Sequence, residues 1–256
     1  MPLNFAEYYD AVINWEKRLA REMPLIEELA RSAGTRLLVP ACGTGGHVVA
    51  LAERGFSVLG FDADPDAVAF VQQRIHQEKN VISAAGGEAQ ASILNLEEAG
   101  RLGPNHDAAF CLGNALPGIS GEGQLPAALK GLAGALRPGG VLLTQNLNYD
   151  LRWREKAHWF PLLSGETARE EVLLVKFADY EQEAINFHAM FLIREKAGAK
   201  WQSHVRSSRQ IPLLRSHLAG LLSEAGFGNL QFWGDYAKSG FEPEKSSDLL
   251  VAAEKS

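Results

Sequence analysis

One short run in this sequence has the residue types and spacing to do chemistry. Ala41-Cys42-Gly43-Thr44-Gly45-Gly46-His47 falls between an apolar run at 36–39 and a helical stretch at 48–54. Glycines there let the backbone turn sharply and let a ligand approach the main chain. The free N–H groups at the start of the following helix favour an anionic group. Asp62 stands 19 residues beyond Gly43, at the end of the next apolar run. A carboxylate in that place binds ribose hydroxyls. Together the two features point to a nucleoside cofactor at the carboxyl ends of parallel strands. The dinucleotide fingerprint needs a third glycine where this chain has Val48, and no P-loop lysine follows. A nicotinamide-dependent oxidoreductase and a nucleotide triphosphatase are both disfavoured for that reason.

The elements that must position this turn are legible from periodicity. Val12, Trp15, Leu19, Met23, Ile26 and Leu29 form one apolar stripe, which predicts helix over 10–31, split at Pro24 and stopped by Gly34. Strands at 36–39 and 56–61 flank the helix at 48–54, and a further helix spans 65–77. Strand–helix–strand order of this length makes the two strands parallel. Further strands are expected near 91–94, at 107–112 and at 141–145. A helix at 125–136 precedes the last of these and is closed by Arg137-Pro138-Gly139-Gly140. After residue 150 the texture changes. Stretches at 172–180, 184–193 and 201–207 read as an antiparallel meander, and 166–171 reads as a solvated charged loop before it. A helix at 213–225 and strands at 230–234 and 249–253 close the chain. This gives four segments: a helical cap (1–35), a cofactor-binding core (36–150), an inserted antiparallel lid (151–210) and the C-terminal part of the core (211–256).

Composition narrows the function classes. The chain has 256 residues, 46% hydrophobic and 22% charged, with a net charge of −6. An acidic chain has no general attraction for phosphate backbones, so nucleic-acid binding is not expected. Two cysteines make no disulfide framework, and no C-x-x-C or H-x-x-x-H spacing suggests a metal. Cys42 and Cys111 read as small buried hydrophobes. His158, His188, His204 and His217 read as surface or lid polar groups rather than general bases, and His47 as a residue that shapes the turn. The first thirty residues hold no long apolar run, and no stretch approaches 18 apolar residues. The expectation is a cytoplasmic enzyme without a membrane partner.

The run Leu38-Val39-Pro40-Ala41-Cys42-Gly43-Thr44-Gly45, followed by Asp62, resembles the first two motifs of class I S-adenosylmethionine-dependent methyltransferases. Further stretches are similar to the glycine N-methyltransferase and glycine/sarcosine N-methyltransferase branch. They are Asp107-Ala108-Ala109-Phe110-Cys111-Leu112-Gly113-Asn114, Arg137-Pro138-Gly139-Gly140-Val141-Leu142 and Asn148-Tyr149-Asp150, with Tyr8-Tyr9-Asp10 and Trp15-Glu16-Lys17-Arg18-Leu19 near the start. The inserted meander belongs to the same likeness. The resemblance implies an α/β, Rossmann-like seven-stranded mixed sheet with an inserted antiparallel β lid, and S-adenosyl-L-methionine as cofactor.

Carried over by position, the resemblance puts Gly43 and Gly45, with Ala41 and Thr44, under the methionine moiety. Asp62 and Ala63 belong to the ribose. The adenine falls to Ser92 and Ile93, or in another register to Glu88. Arg18 pairs the cofactor carboxylate, with Lys17 and Arg21 as register alternatives. Trp15 and Tyr9 close over the sulfonium. Leu112, Gly113 and Asn114 line the floor near the transferring methyl, and Tyr9 and Asn114 are the catalytic candidates. No acid or base is assigned, because a neutral amine acceptor needs alignment only. The lid either encloses a small-molecule methyl acceptor or joins copies into a homo-oligomer.

Two departures from the family pattern matter. Val39 stands where the family has an acidic anchor, which feeds a rival reading as a cofactor-binding protein without turnover. Leu147 stands where the glycine branch has an arginine for the acceptor carboxylate, and Gln210 or Ile211 replaces an expected tyrosine. Leucine offers a carboxylate no donors, so the expected acceptor is not glycine. It presents a neutral or apolar face at Leu147, unless Arg152 or Arg206 from the lid restores a carboxylate site.

Overall fold

The computed structural model describes residues 5–198 and 200–256. Two helices open the chain, α1 (Phe5–Val12) and α2 (Trp15–Ala33). The break falls at 13–14, where the Asn14 side chain accepts from Lys17 N–H, and not at Pro24 as the sequence suggests. Helix α2 runs through Pro24. An interior proline costs about 3 kcal/mol. Met23, Leu25 and Ile26 around it are at most 3% exposed, and each buried side chain returns about 1.5–3 kcal/mol. Packing therefore outweighs the lost hydrogen bond. Gly34, at φ 150°, ends the helix.

The core alternates strand and helix: β1 (Arg36–Pro40), α3 (Gly46–Ala52), β2 (Ser57–Asp62), α4 (Pro65–Gln77), α5 (Lys79–Ala84), β3 (Glu88–Ile93), β4 (His106–Cys111), α6 (Gln124–Ala135) and β5 (Leu136–Leu147). Short 3-10 turns at Leu96–Leu102 and Leu116–Gly118 flank β4. Asp64 caps α4 by accepting from Asp66 N–H, with Pro65 in the first turn. After the lid come α8 (Arg215–Glu224), β10 (Phe227–Trp233) and β11 (Asp248–Lys255). The sheet order is β10-β11-β5-β4-β1-β2-β3, with β1 to β5 parallel, β11 antiparallel to β5, and β10 antiparallel to β11 and so in the same direction as the core strands. The expected seven-stranded mixed sheet is present. Among the described residues no helix is long and apolar enough to cross a membrane.

The space taken by Val48 explains its presence. A Cβ on Gly60 of β2 would meet Val48 Cγ2 at 2.6 Å. The close helix–strand approach is made with the glycine on the strand instead of on the helix. The motif at 137–140 is not a free turn but a bulge inside β5. Its register with β4 jumps from His106↔Leu136 to Ala108↔Val141, and Gly139 takes φ +71°.

The lid begins with α7 (Tyr149–Glu155) and forms a separate antiparallel sheet of β6 (Leu163–Glu166), β7 (Glu170–Tyr180), β8 (Ile185–Glu195) and β9 (Gln202–Gln210). The charge run at 166–171 is strand at both ends, which corrects the loop expected there. Glu166 lies opposite Glu171, and Lys196 and Arg194 neutralise them respectively. Tyr8 and Val12 of α1 pack on Val172, Leu174, Phe191 and Ile193, tying the cap to the lid.

Asp107 stitches the base of the sheet. It accepts from Thr35 N–H (3.0 Å), Arg36 N–H (2.9 Å) and Arg137 Nε (2.8 Å), and the ion pair pulls its carboxyl below the usual range against the effect of burial. Asp107→Ala should cost about 2–3 kcal/mol, a Tm lower by roughly 5–10 °C in a chain of this size. Thermal unfolding of the variant beside the parent checks this, and a shift under 1 °C would refute it.

Candidate functional site

The glycine-rich turn joins β1 to α3 at the carboxyl end of the sheet, where ligands of open α/β folds bind. Gly45 adopts φ +79°, and a Cβ there would strike Val71 of α4 at 2.6 Å, so helix packing alone demands glycine. Gly43, at φ +53°, is different, since a Cβ there would meet nothing within 4 Å. The surface over Gly43 is open. Ala41 shares the left-handed conformation at φ 50°. Thr44 is 4% exposed, and its Oγ1 has no hydrogen-bond partner.

Asp62 closes β2 beside this turn. Its Oδ2 accepts from Gly43 N–H at 2.9 Å and its Oδ1 from Asp64 N–H at 3.0 Å. Ala63 between the two acids is exposed. Ile93 pairs in register with Asp62 and is 60% exposed, and Ser92 lies opposite Phe61. Glu88 sits at the other end of β3, where it accepts from Ser57 Oγ. The structure thus brings Ser92 and Ile93 to the Asp62 end and leaves Glu88 behind.

Helix α2 covers the turn. The Trp15 ring lies where a Cβ of Gly46 would sit, at 2.3 Å, and its indole N–H donates to Asp10 at 2.6 Å. Arg74 bonds the other Asp10 oxygen at 2.7 Å. Arg18 stacks on the same ring at 5.1 Å. Its Nε donates to both Glu22 oxygens at 3.2 and 3.3 Å, and its Nη2 lies 3.5 Å from the Cβ position of Gly113. The terminal amino groups of Arg18 hold no other partner among the described residues. Of the register alternatives, Arg21 is spent on Glu22 and Lys17 is exposed. Tyr9 lies on α1 with 38% exposure, while its neighbour Tyr8 turns into the lid packing.

Glu22 is the group the sequence reading overlooked. It is 2% exposed and accepts from Arg18, from Arg21 (2.7 Å) and from His47 Nε2 (2.8 Å). Burial pushes its carboxyl up. The His47 hydrogen bond and the Arg18 charge outweigh burial and hold the carboxyl at about 2. Burial depresses the His47 imidazole, so the ring is held neutral. The signal available in the sequence was the four-residue spacing from Arg18 to Glu22.

At the end of β4, Gly113 takes φ +74° and donates its N–H to Gln145 Oε1 at 2.8 Å, and Gln145 in turn donates to Asp248 at 2.7 Å. Leu112 is buried. Asn114 uses both ends of its amide. Its Nδ2 donates to Tyr149 Oη (2.9 Å) and Gln210 Oε1 (3.1 Å), and its Oδ1 accepts from Leu147 N–H (2.9 Å). Tyr149 also donates to Gln210 at 2.7 Å. Of the two candidates for the expected tyrosine's place, Gln210 bonds into this cluster and Ile211 packs partly buried against the core. Leu147 is half-buried against the core. Cys42 and Cys111 are buried thiols pushed up to about 12 by desolvation, and neither is poised as a nucleophile.

The site fits the nucleoside cofactor that the motifs imply. An open main-chain cradle at Gly43, an unpartnered buried hydroxyl at Thr44, a carboxylate at Asp62 and free guanidinium nitrogens on Arg18 supply the donors and acceptors needed.

Comparison with known proteins agrees. Residues 38–140 match the family described as a methyltransferase domain. The chain is similar to the glycine/sarcosine N-methyltransferase of Halorhodospira halochloris, 25% identical over 256 residues covering 98% of this chain and 87% of that one. It also resembles the mouse (Mus musculus) glycine N-methyltransferase, 35% identical over 120 residues covering 45% of this chain and 41% of that one. Among solved structures, an S-adenosylmethionine-dependent methyltransferase from Clostridium acetobutylicum superposes with a TM-score of 0.73 at 13% identity, covering 95% of this chain and 92% of that one.

The Glu22 cluster makes stability depend on pH with a definite sign. Both Glu22 and His47 have folded-state values below their unfolded ones, so the unfolded chain takes up protons first and stability falls with acid. The His47 contribution begins to fade below about pH 6.5. The Glu22 contribution is complete above its unfolded value of about 4.3. It is lost as pH falls from there toward about 2. Glu22→Gln should lower Tm at pH 7 by roughly 5–10 °C and flatten the decline below pH 4.5. Parallel Tm–pH curves for parent and variant would show the cluster to be energetically silent.

Proposed function

Starting from a chain that belongs to the class I S-adenosylmethionine-dependent methyltransferases, we propose that it methylates the nitrogen of a small-molecule amine and that glycine is not its acceptor. One observation carries this reading. The side chains gathered around Asn114 are neutral amides and one phenol bonded to each other. The nearby Asp248 carboxylate is engaged by Gln145 at 2.7 Å, and burial pushes the Cys111 thiol at the end of β4 up to about 12, so none of these groups is poised to take a proton. An amine that arrives uncharged has a free lone pair and needs no such base. Relatives named for glycine and sarcosine methylation support nitrogen as the receiving atom.

When bound, S-adenosylmethionine supplies an electrophilic methyl group on a positively charged sulfur. In this reading Asp62 holds the ribose, with Ala63, Ser92 and Ile93 beside the base. Ala41, Gly43, Thr44 and Gly45 present main-chain groups to the methionine part, and Arg18 pairs its carboxylate. Trp15 walls the turn, and Tyr9, exposed on α1, is the residue assigned to close over the sulfonium. Leu112 and Gly113 form the floor, with Asn114 as the positioning residue that fixes Tyr149 and Gln210. Such alignment is worth up to roughly 7–11 kcal/mol. The four segments divide the work accordingly: 1–35 caps, 36–150 binds the cofactor, 151–210 covers the acceptor and 211–256 completes the sheet. The lid's outer surface, with Trp159, Leu162 and Val205 exposed, is where copies of the chain would meet.

A cofactor-binding protein without turnover is the second reading. Val39, in place of the acidic anchor, is 2% exposed and packed in the core, so no polar group replaces that anchor.

Two measurements decide. Asp62→Ala should weaken S-adenosylhomocysteine binding by calorimetry about ten- to hundredfold, the loss of about 1.5–3 kcal/mol in charge-assisted hydrogen bonds. An unchanged isotherm would remove the ribose from Asp62. A methyl-donor turnover screen over small amines should find an acceptor. Glycine and sarcosine should give no turnover, and ordinary rates with either would overturn the substrate assignment.

A further inference from the structure

The inner face of the lid carries charge that the lid's own packing does not use. Along β7, Val172, Leu174 and Ala178 are buried, and strand alternation puts Lys176 on their face. Across the sheet Lys176 pairs in register with Ala189, and Ala189 with Arg206. A small residue thus separates two cations. Arg206 is engaged: its Nη1 is 3.7 Å from Asp64 and its guanidinium lies over Phe5. Lys176 has no acidic partner among the described residues. Its ammonium lies 5.8 Å from the ring centre of Phe160, whose N–H donates to the Lys176 carbonyl at 3.1 Å.

Arg152 comes to the same ring from α7. Its guanidinium carbon is 4.5 Å from the Phe160 centre, and it too has no acidic partner among the described residues. It stands one turn beyond Tyr149 in α7, on the same helix face. Tyr149 belongs to the Asn114–Gln210 cluster at the end of β4. Burial first, and then the charges of Arg152 and Arg18, pull the Lys176 ammonium below its ordinary value. An aromatic ring is a weak counter-charge for two cations that share one partly desolvated place. An anion is a strong one, and guanidinium matches carboxylate and phosphate in two-pronged fashion.

From this juxtaposition we infer that Arg152 and Lys176 form an anion subsite for the methyl acceptor, which carries a carboxylate or a phosphate toward the lid and its amine toward the ends of β4 and β5. The inference rests on the methyltransferase reading for what the anion belongs to. It also specifies the acceptor left open at Leu147. That corner stays apolar, and the charge is met from the lid by Arg152, while Arg206 is taken by Asp64.

The test uses the full chain, saturated with S-adenosylhomocysteine and titrated calorimetrically with acetate and, separately, with inorganic phosphate. At least one probe should give a saturable isotherm, weakened tenfold or more in Arg152→Met and in Lys176→Met and retained in Lys176→Arg. Tighter phosphate marks a phosphorylated acceptor, and tighter acetate a carboxylated one. Phosphate should also raise the Tm of the parent but not of Lys176→Met, which in anion-free buffer should itself melt no lower than the parent. No saturable binding to the parent, or equal binding to the parent and both methionine variants, overturns the subsite. S-adenosylhomocysteine affinity should stay within twofold in the variants. Its failure to bind the parent would sink the methyltransferase reading instead, so the two failures are told apart.

Discussion

A carboxylate buried with three cation-capable partners is the interaction on which the rest of the site depends. Removing Glu22 from water costs several kcal/mol, and only dense hydrogen bonding makes such burial tolerable. The chain meets that condition from two directions. Arg18 and Arg21 come from the carboxylate's own helix, and His47 comes from the first turn of α3. The cluster therefore fixes α2 against the glycine-rich turn in one relative position. It also claims only the Nε edge of Arg18, which orients the guanidinium so that its terminal nitrogens point over Gly113. Trp15 follows from the same constraint. With α2 held this close, its ring needs the space that Gly46 leaves, and a side chain at 46 would push the helix away. Sequence features that look separate, a tryptophan, an arginine and the third glycine of the turn, are thus one packing solution.

The opposite wall is built with neutral groups, and the contrast has chemical meaning. Asn114, Tyr149, Gln210 and Gln145 join β4, β5, α7 and β9 through amide and phenol hydrogen bonds. Burial raises the Tyr149 phenol above its ordinary value, against the Asn114 hydrogen bond and the Arg152 charge, so it stays protonated and keeps donating at neutral pH. A charged wall would compete with a positively charged sulfonium or bind it in the ground state. A wall of neutral groups, its Gln145 tied back to Asp248, holds shape without doing either, which suits a reaction limited by alignment.

The parallel core was legible because its signals are local: apolar runs, glycine punctuation, the Asp64–Pro65 cap, and a carboxylate at a fixed distance from the turn. Errors came where tertiary packing overrode a local rule. Pro24 should break a helix, but Met23, Leu25 and Ile26 bury enough surface to carry α2 through it. The charge run at 166–171 looks solvated in isolation, yet Arg194 and Lys196 on and after β8 turn it into paired strand ends. Val48 argued correctly against a dinucleotide fold, but its compensation at Gly60 lies in another element and leaves no pattern within one window of sequence. Glu22 was invisible as a site residue for the same reason, since an acid on an amphipathic helix ordinarily faces water. Only the approach of α3 makes it buried. In the lid, alternation revealed three strands and missed β6, whose four residues include a glycine.

The replacement of a basic residue at 147 by leucine reads differently once the lid is in place. A substrate carboxylate met at the end of β5 would lie beside the parallel sheet, near Asn114, and would tie the acceptor to a compact molecule. Here that corner is apolar at Leu147, and Gln210 fills the neighbouring position while bonding inward to Asn114 and Tyr149. The positive charge has not vanished from the site. In the proposed subsite it stands on α7 and β7, as Arg152 and Lys176, both near the Phe160 ring. In the proposed reading, a cation on the lid instead of the sheet moves the acceptor's anchor without altering the cofactor face. It also places the anchor on the antiparallel insertion, whose strands can vary in length and sequence while the parallel core stays fixed by its glycine turn. In the proposed reading substrate choice is thereby separated from cofactor binding, the first resting on the lid and the second on β1, β2 and α2.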